Sequence, residues 1–411
     1  MKLIHLADLH LGKSLHGVNL LDSGDQPRWA EDFLKRCDSL RPDAVLIAGD
    51  VYDRGAPAAG AVELLDRLLT GLTELGAAVL LIPGNHDSAR RLGFGRELLA
   101  RAGLHIAPPL TAPGALSRVT LEDEHGPVDF WLMPYLFPAL AAEALDMELR
   151  DYDAAVRAVL AAQPVDFSRR NVILAHQNVT LGGAEAQRGG SETMVGGVGQ
   201  VDASAFDGFD YVALGHIHAG YALGRPGLRY AGSPLCYHFN ETRQAAKGPL
   251  LVELGAKGDP IRVELLPIEP LHRLRAVCGE YESIRAAEAE RPGGGEYISV
   301  TLTDRRVTPE LAEALRSLYA AKGSLLMELS SSWQEAVTEG SLSSAALRER
   351  GLAELFAEFY IQRSGGAEPD EAELSILKQA AALAERADTS LEPEAALVEK
   401  FLAEAMKQIE N

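Results

Sequence analysis

Short aliphatic runs punctuate the first half of the chain: KLIHLA at 2–7, DAVLIA at 43–48, AAVLLIP at 77–83, NVILA at 171–175 and DYVALG at 210–215. Their length and aliphatic content predict strands. Between them, PRWAEDFLKRCDSL and AVELLDRLLTGLTEL repeat apolar residues every three or four positions, the spacing of helices that lay one stripe on a sheet. The alternation predicts a largely parallel sheet crossed by helices. After Gly215 the texture changes to the short alternating segments LRYAG, PLLVELG and IRVELLP, and FWLMP at 130–134 is similar. A second set of strands packed on the first is therefore expected. The fold class is α/β: a double β-sheet sandwich flanked by helices.

Pro267 and Pro270 interrupt this pattern. Residues 271–335 restart as strand, helix, strand (EYISVTLT, 296–303), helix and strand (SLLMELS), with RPGGGE at 291–296 as a loop. From about Leu342 the chain reads as helical and acidic, with 15 Asp and Glu against 7 Lys and Arg over 336–411. A helix over 343–363 would place Leu352, Leu355, Phe356, Phe359 and Tyr360 on roughly one face. GGAEAQRGGSETMVGGVG at 182–199 is glycine-rich enough to be a mobile loop. The divisions expected are 1–270, a small α/β domain at 271–338, and a helical region at 339–411.

Composition narrows the function. At 411 residues and 47% hydrophobic content, each of two or three domains can bury a core. A net charge of −20 argues against a broad basic surface for nucleic acid, so any phosphate partner must be met locally. Cys37, Cys236 and Cys278 are odd in number and lack CxxC spacing, which disfavours a disulfide framework or a thiolate zinc site and fits a reducing cytosol. The opening MKLIHLADLH has no signal-peptide core, and no stretch reaches membrane-spanning length. A cytoplasmic protein is expected, with no membrane association.

The chemistry lies where the strands stop. Asp8 and His10 follow the first, Asp50 the second, Asn85, His86 and Asp87 the third, His176 the fourth, and His216 and His218 the fifth. Ligands of open α/β sheets bind at the carboxyl ends of strands, so these nine groups are expected to converge. Carboxylates, an amide and imidazoles without thiolate suit manganese, iron or zinc. Six to eight ligands suit a pair of metals about 3.5–4 Å apart that share a carboxylate, and Asp50 is the natural bridge. In DLH and HIH, alternate residues of an extended segment would point the same way, Asp8 with His10 and His216 with His218. Gly49, Gly84 and Gly215 would permit the tight turns that bring strand ends to an ion. His5, His16, His105, His125, His238 and His272 lack this context and read as ordinary polar or core residues.

The blocks DLH, GDVYD, GNHD, AHQ and GHIH, in this order, resemble the calcineurin-like metallophosphoesterase superfamily. The flanks LADLHLGKSL, PGNHDS, ALGHIH and YAGSPL resemble its bacterial DNA double-strand-break nucleases more narrowly. The resemblance implies one metal held by Asp8, His10, Asp50 and His218, and a second held by Asp50, Asn85, His176 and His216. It implies two divalent ions, manganese among the options, and a catalytic His86 that stabilises the transition state and protonates the leaving oxygen. Asp87 would either raise the pKa of His86 and orient it or serve as a helix N-terminal acid. Some relatives carry a histidine where this chain has Asp53, so Asp53 is expected to support rather than catalyse.

The expected reaction is in-line attack of metal-activated water on a DNA phosphodiester. The resemblance further implies a homodimer, a cap formed by 271–335 that admits or excludes duplex DNA, and a coiled-coil ATPase partner. The tail could dock that partner or fold back on its own domain. Arg90, Arg91 and Arg188 could contact DNA or be solvated surface charge. A phosphatase or cyclic-nucleotide phosphodiesterase would use the same site; the cap and tail disfavour it.

Overall fold

The computed structural model describes residues 1–182, 199–243 and 246–333, and residues 1–333 form one compact unit. The glycine-rich loop with Arg188, and the helical region with its Leu352–Tyr360 face, lie outside the described residues.

Two six-stranded sheets face each other. The first is ordered Arg262–Leu265, Leu250–Glu253, Lys2–Leu6, Ala44–Ala48, Ala78–Ile82 and Leu104–Ile106. Its last four strands are parallel, and the first two join antiparallel. The second is ordered Tyr221–Leu223, Arg225–Tyr230, Tyr211–Gly215, Arg170–His176, Gly126–Leu132 and Ser117–Asp123. Its four central strands are parallel.

Strand alternation explains the layering. Leu3, Leu46, Leu80 and Ile82 meet Phe130, Leu132, Val172, Leu174 and Ala213 between the sheets. The alternate residues Ile4, Leu6, Val45, Ile47, Val79 and Leu81 face outward. There they meet Trp29, Phe33 and Cys37 of helix Asp25–Leu40 and Leu64, Leu65, Leu68 and Leu72 of helix Ala59–Glu74. Helices Pro138–Leu145 and Tyr152–Ala161 cover the second sheet in the same manner.

The sequence expectation of one parallel series is corrected here. Its first three strands lie in one sheet, while NVILA and DYVALG lie at the centre of the other. PLLVELG and IRVELLP, expected in the second set, instead extend the first sheet. A strand apolar on both faces satisfies either sheet equally, so hydrophobic pattern cannot assign membership.

A three-stranded parallel sheet of Leu274–Gly279, Tyr297–Leu302 and Leu325–Ser331 follows, covered by helices Tyr281–Glu290 and Pro309–Ala320. Its core is small: Tyr281, Ile284, Ile298, Val300, Leu302, Leu315 and Tyr319. Asp25 of the first long helix holds it, accepting from the Tyr297 hydroxyl at 2.8 Å and lying 3.0 Å from His272 Nδ1. Among the described residues, no helix is long and apolar enough to cross a membrane.

Candidate metal centre

The parallel strands of both sheets end at a common seam. His176, the last residue of its strand, donates from Nδ1 to the carbonyl of Ala48 in the other sheet at 2.8 Å. Asp8 Oδ1 accepts the backbone N–H of His216 at 2.9 Å, a second tie across the sheets. Contact this close leaves no room for side chains: a Cβ on Gly215 would lie 1.9 Å from the Ala48 oxygen, and one on Gly84 2.2 Å from Asp50 Oδ1. Of the three expected glycines only Gly49 uses its conformational freedom, at φ 87°; the other two are needed for space.

Asp8 (φ 54°), His10 (φ 42°), Asp50 (φ 47°) and His216 (φ 100°) all lie in the left-handed region, which non-glycine residues avoid. Strain of roughly 1–3 kcal/mol per residue persists only where surroundings enforce it. This corrects the extended reading of DLH: Asp8 and His10 reach inward from a turn, not by strand alternation. His216 and His218 likewise face different halves of the cluster.

Asp8, His10 and His218 bring ligand atoms within 4.8 Å of one another, as do Asp8, Asp50 and His176, and His10, Asp50 and His86. Asn85 Oδ1 lies 3.1 Å from His176 Nε2 and 3.2 Å from His216 Nδ1. All seven sequence-predicted ligands and His86 therefore gather in one cleft. Asp8, His10, His176 and His218 are buried beneath, while Asn85 and His86 are exposed at the rim.

The electrostatics suit cations. Burial lowers the pKa of His10 to about 4 and, with the nearby His176, that of His216 to about 3, so both offer neutral lone pairs. Burial also opposes protonation of His176, yet Asp50 at 3.3 Å, Asp8 and the Ala48 carbonyl together raise it to about 9. Burial would raise Asp50 too, but His176, His10 and His86 hold it well below the usual carboxylate range. Asp8 rises to about 6 through burial, partly offset by His176 and His218.

Two features show that the donors fit divalent ions. Asp8 Oδ2 is buried with no hydrogen-bond partner. His10 Nε2 and His218 Nε2 stand 3.1 Å apart, so at most one can carry hydrogen toward the other. An oxygen and nitrogen set without thiolate matches manganese, iron or zinc.

His86 is placed differently. Its Nδ1 lies 2.9 Å from the Asp53 carbonyl oxygen, to which it can donate, and its Nε2 stands 4.0 Å from Asp50 at the open side. Asp87 takes neither expected role. Its carboxylate accepts backbone N–H groups of Val51 (3.0 Å), Tyr52 (2.9 Å) and Gly84 (2.9 Å), stapling the second and third strand-end loops together. Ser88, not Asp87, occupies the N-cap position of the following short helix. Burial and the charge of Asp50 raise the Asp87 pKa to about 6.

Sequence reasoning missed the supports. Gln26 accepts from Gly12 N–H at 2.9 Å and donates to the His10 carbonyl at 2.8 Å, pinning the first turn. The Tyr237 hydroxyl donates to the Leu9 carbonyl. Glu241 lies 3.2 Å from His218 Nδ1. Each comes from a segment without recognisable spacing. Asp53 stands 3.6 Å from His10 Nδ1 and pairs with Lys13 at 2.8 Å, a supporting position. Arg90 and Arg91 are exposed just beyond Asp87, and Arg91 donates to the Gly55 carbonyl at 3.0 Å. Beside Asn85 lies an apolar recess of about 190 Å³ with Tyr135, Phe137 and Leu140 in its wall.

A model of the calcineurin-like phosphoesterase family matches residues 1–220, and one described as the type 5 capsule protein repressor C-terminal domain matches 268–364. The chain is similar to the D component of nuclease SbcCD from Staphylococcus saprophyticus, with 32% identity over 323 residues, 78% of this chain and 82% of that one. The D component of nuclease SbcCD from Staphylococcus epidermidis is 28% identical over 328 residues, 78% and 83% of the two chains.

Proposed function

Because the chain belongs to the calcineurin-like phosphoesterase family, we propose that it is a dinuclear-metal-dependent DNA nuclease. It acts as an exonuclease on duplex ends and an endonuclease on single-stranded or hairpin DNA. The observation that carries this reading is the convergence of carboxylates and imidazoles at the sheet seam with His86 alone among the imidazoles exposed at its rim. The names of the staphylococcal relatives support the nuclease assignment.

Asp8, His10, Asp50 and His218 would hold one divalent ion, and Asp50, Asn85, His176 and His216 the other, with manganese the proposed metal. Such ions supply Lewis acidity to a phosphoryl group and lower the pKa of water. The chain's own residues do the rest. The buried donors sit on turns locked by Gln26, Asp87 and the Ala48 contact, so little reorganisation accompanies substrate arrival. With His86 Nδ1–H given to the Asp53 carbonyl, Nε2 faces the cleft and can carry the proton that the leaving sugar oxygen requires. Arg90 and Arg91 are suited to meet phosphates locally in a chain of net charge −20. The recess walled by Tyr135 and Phe137 offers aromatic surface beside that position.

The reading extends to partners and organisation. A cytoplasmic homodimer working with an SbcC-type coiled-coil ATPase is proposed, with 1–270 as nuclease domain, 271–338 as cap and 339–411 as docking region. The test is hydrolysis of labelled duplex and hairpin DNA beside nucleotide monoesters, with manganese, by wild-type and His86→Ala protein. DNA cleavage that falls about 10²–10⁴-fold in the variant is expected. Preference for monoesters, or undiminished cleavage by the variant, would overturn the reading.

A further inference from the structure

Two of the buried histidines at the seam, His176 and His218, are oriented by different means. His176 gives its Nδ1–H to a backbone carbonyl, which no substitution removes. His218 instead faces Glu241, a carboxylate on the short turn Phe239–Arg243 that is itself 1% exposed. Glu241 Oε1 stands 3.2 Å from His218 Nδ1. Its other oxygen receives Lys247 Nζ at 2.7 Å and the backbone N–H of Tyr237 at 3.2 Å. Lys247 also donates to the His218 carbonyl at 2.8 Å and to Ser233 Oγ at 2.7 Å, which locks the carboxylate against the histidine segment.

An ionised carboxylate only accepts hydrogen bonds, so His218 must donate from Nδ1. Its Nε2 lone pair is thereby aimed at His10 Nε2, 3.1 Å away, and at the cluster with Asp8. We propose that Glu241 is a positioning residue that sets the tautomer of His218, and through it the divalent-cation affinity of the Asp8–His10–His218 position. The inference rests on the two-cation reading above. It adds an asymmetry: one position is oriented by main chain, the other by a buried Lys247–Glu241 pair. Partners of this kind typically change metal affinity about 10–100-fold when removed.

Glu241→Gln is the discriminating substitution because it keeps the shape. Lys247 and Tyr237 both donate to the Oε2 position, so the amide oxygen must occupy it and the amide N–H₂ must face His218 Nδ1. The imidazole then carries hydrogen on Nε2, where the cation would bind. Nitrogen-15 NMR of histidine-labelled, metal-free protein reads the tautomer directly, and calorimetric titration with Mn²⁺ reads the affinity. Wild type should show His218 protonated on Nδ1 and bind two equivalents. In Glu241→Gln the hydrogen should move to Nε2, with one equivalent weakened about 10–100-fold and the other unchanged. Arg170→Met removes a buried charge at the far end of its strand and touches none of these groups, so it should keep the wild-type tautomer and both equivalents. A wild-type His218 bearing its hydrogen on Nε2 would overturn the proposal even if no variant folds. So would two undiminished equivalents in Glu241→Gln, or equal losses in both variants. Wild-type protein binding fewer than two equivalents would instead sink the two-cation reading.

Discussion

The strand Arg170–His176 buries charge at both ends, to opposite purpose. At its start, Arg170 reaches Asp123 at 3.0 Å and the Gly255 carbonyl at 2.9 Å, and Asp123 also pairs with the Met1 amine at 2.9 Å. Charge is matched there, and the Arg170 nitrogen that lacks a partner, Nε, is a donor with no lone pair to offer a cation. At its finish, His176 enters a group of imidazoles and two carboxylates in which Asp8 Oδ2 has no partner and two ring nitrogens face each other at 3.1 Å. Arg170 and His176 are both almost fully buried, at 2% and 0% exposure. Burial of polar groups therefore does not distinguish the functional end; a surplus of lone pairs aimed at one point does.

Substitutions should separate the two ends. Asp50→Ala should lower hydrolysis of bis(p-nitrophenyl) phosphate by about 10³-fold or more while circular dichroism stays unchanged, since Asp50 serves the cleft more than the core. Arg170→Met should do the reverse. Removing the guanidinium while Asp123 keeps the Met1 amine should cost about 3 kcal/mol in urea unfolding, with metal stoichiometry of the folded fraction intact. If both variants lose stability alike, the contrast between the ends fails.

A smaller effect comes from pH in chelator-treated protein. Against the opposing effect of burial, Asp50 and Asp8 raise the His176 pKa above its ordinary 6.5 to about 9. Its charged form is thus preferred on folding, and that stabilisation is complete below pH 6.5 and lost as pH climbs through 9. The urea midpoint of metal-free protein should fall between pH 6.5 and 9, and Asp50→Ala should remove most of the slope. A midpoint flat across that range in wild type would show that His176 and Asp50 are not paired as described.

Much of the cleft was legible in sequence because polar residues that end buried strands must sit at one edge of a sheet. Asp50, Asn85 and His176 could be named from that rule alone. Asp87 shows its limit: next to His86 in sequence, its carboxylate serves the backbone of Val51, Tyr52 and Gly84 instead. Adjacent residues on a turn point apart, so neighbourhood along the chain is a poor guide to contact. Gln26, Tyr237 and Glu241 left no trace because their partners are backbone and side-chain groups that no sequence spacing marks.

Local pattern determined which segments are strands and helices and which side chains stand at the strand ends, since periodicity and turn chemistry act over a few residues. Only tertiary structure decided that NVILA and DYVALG belong to the second sheet and that the strand ends of the two facing sheets meet at one seam. It also decided that left-handed turns at Asp8, His10, Asp50 and His216 aim the donors inward. Those outcomes depend on packing between segments up to about two hundred residues apart, as in the His10–His218 contact, and no local preference encodes them.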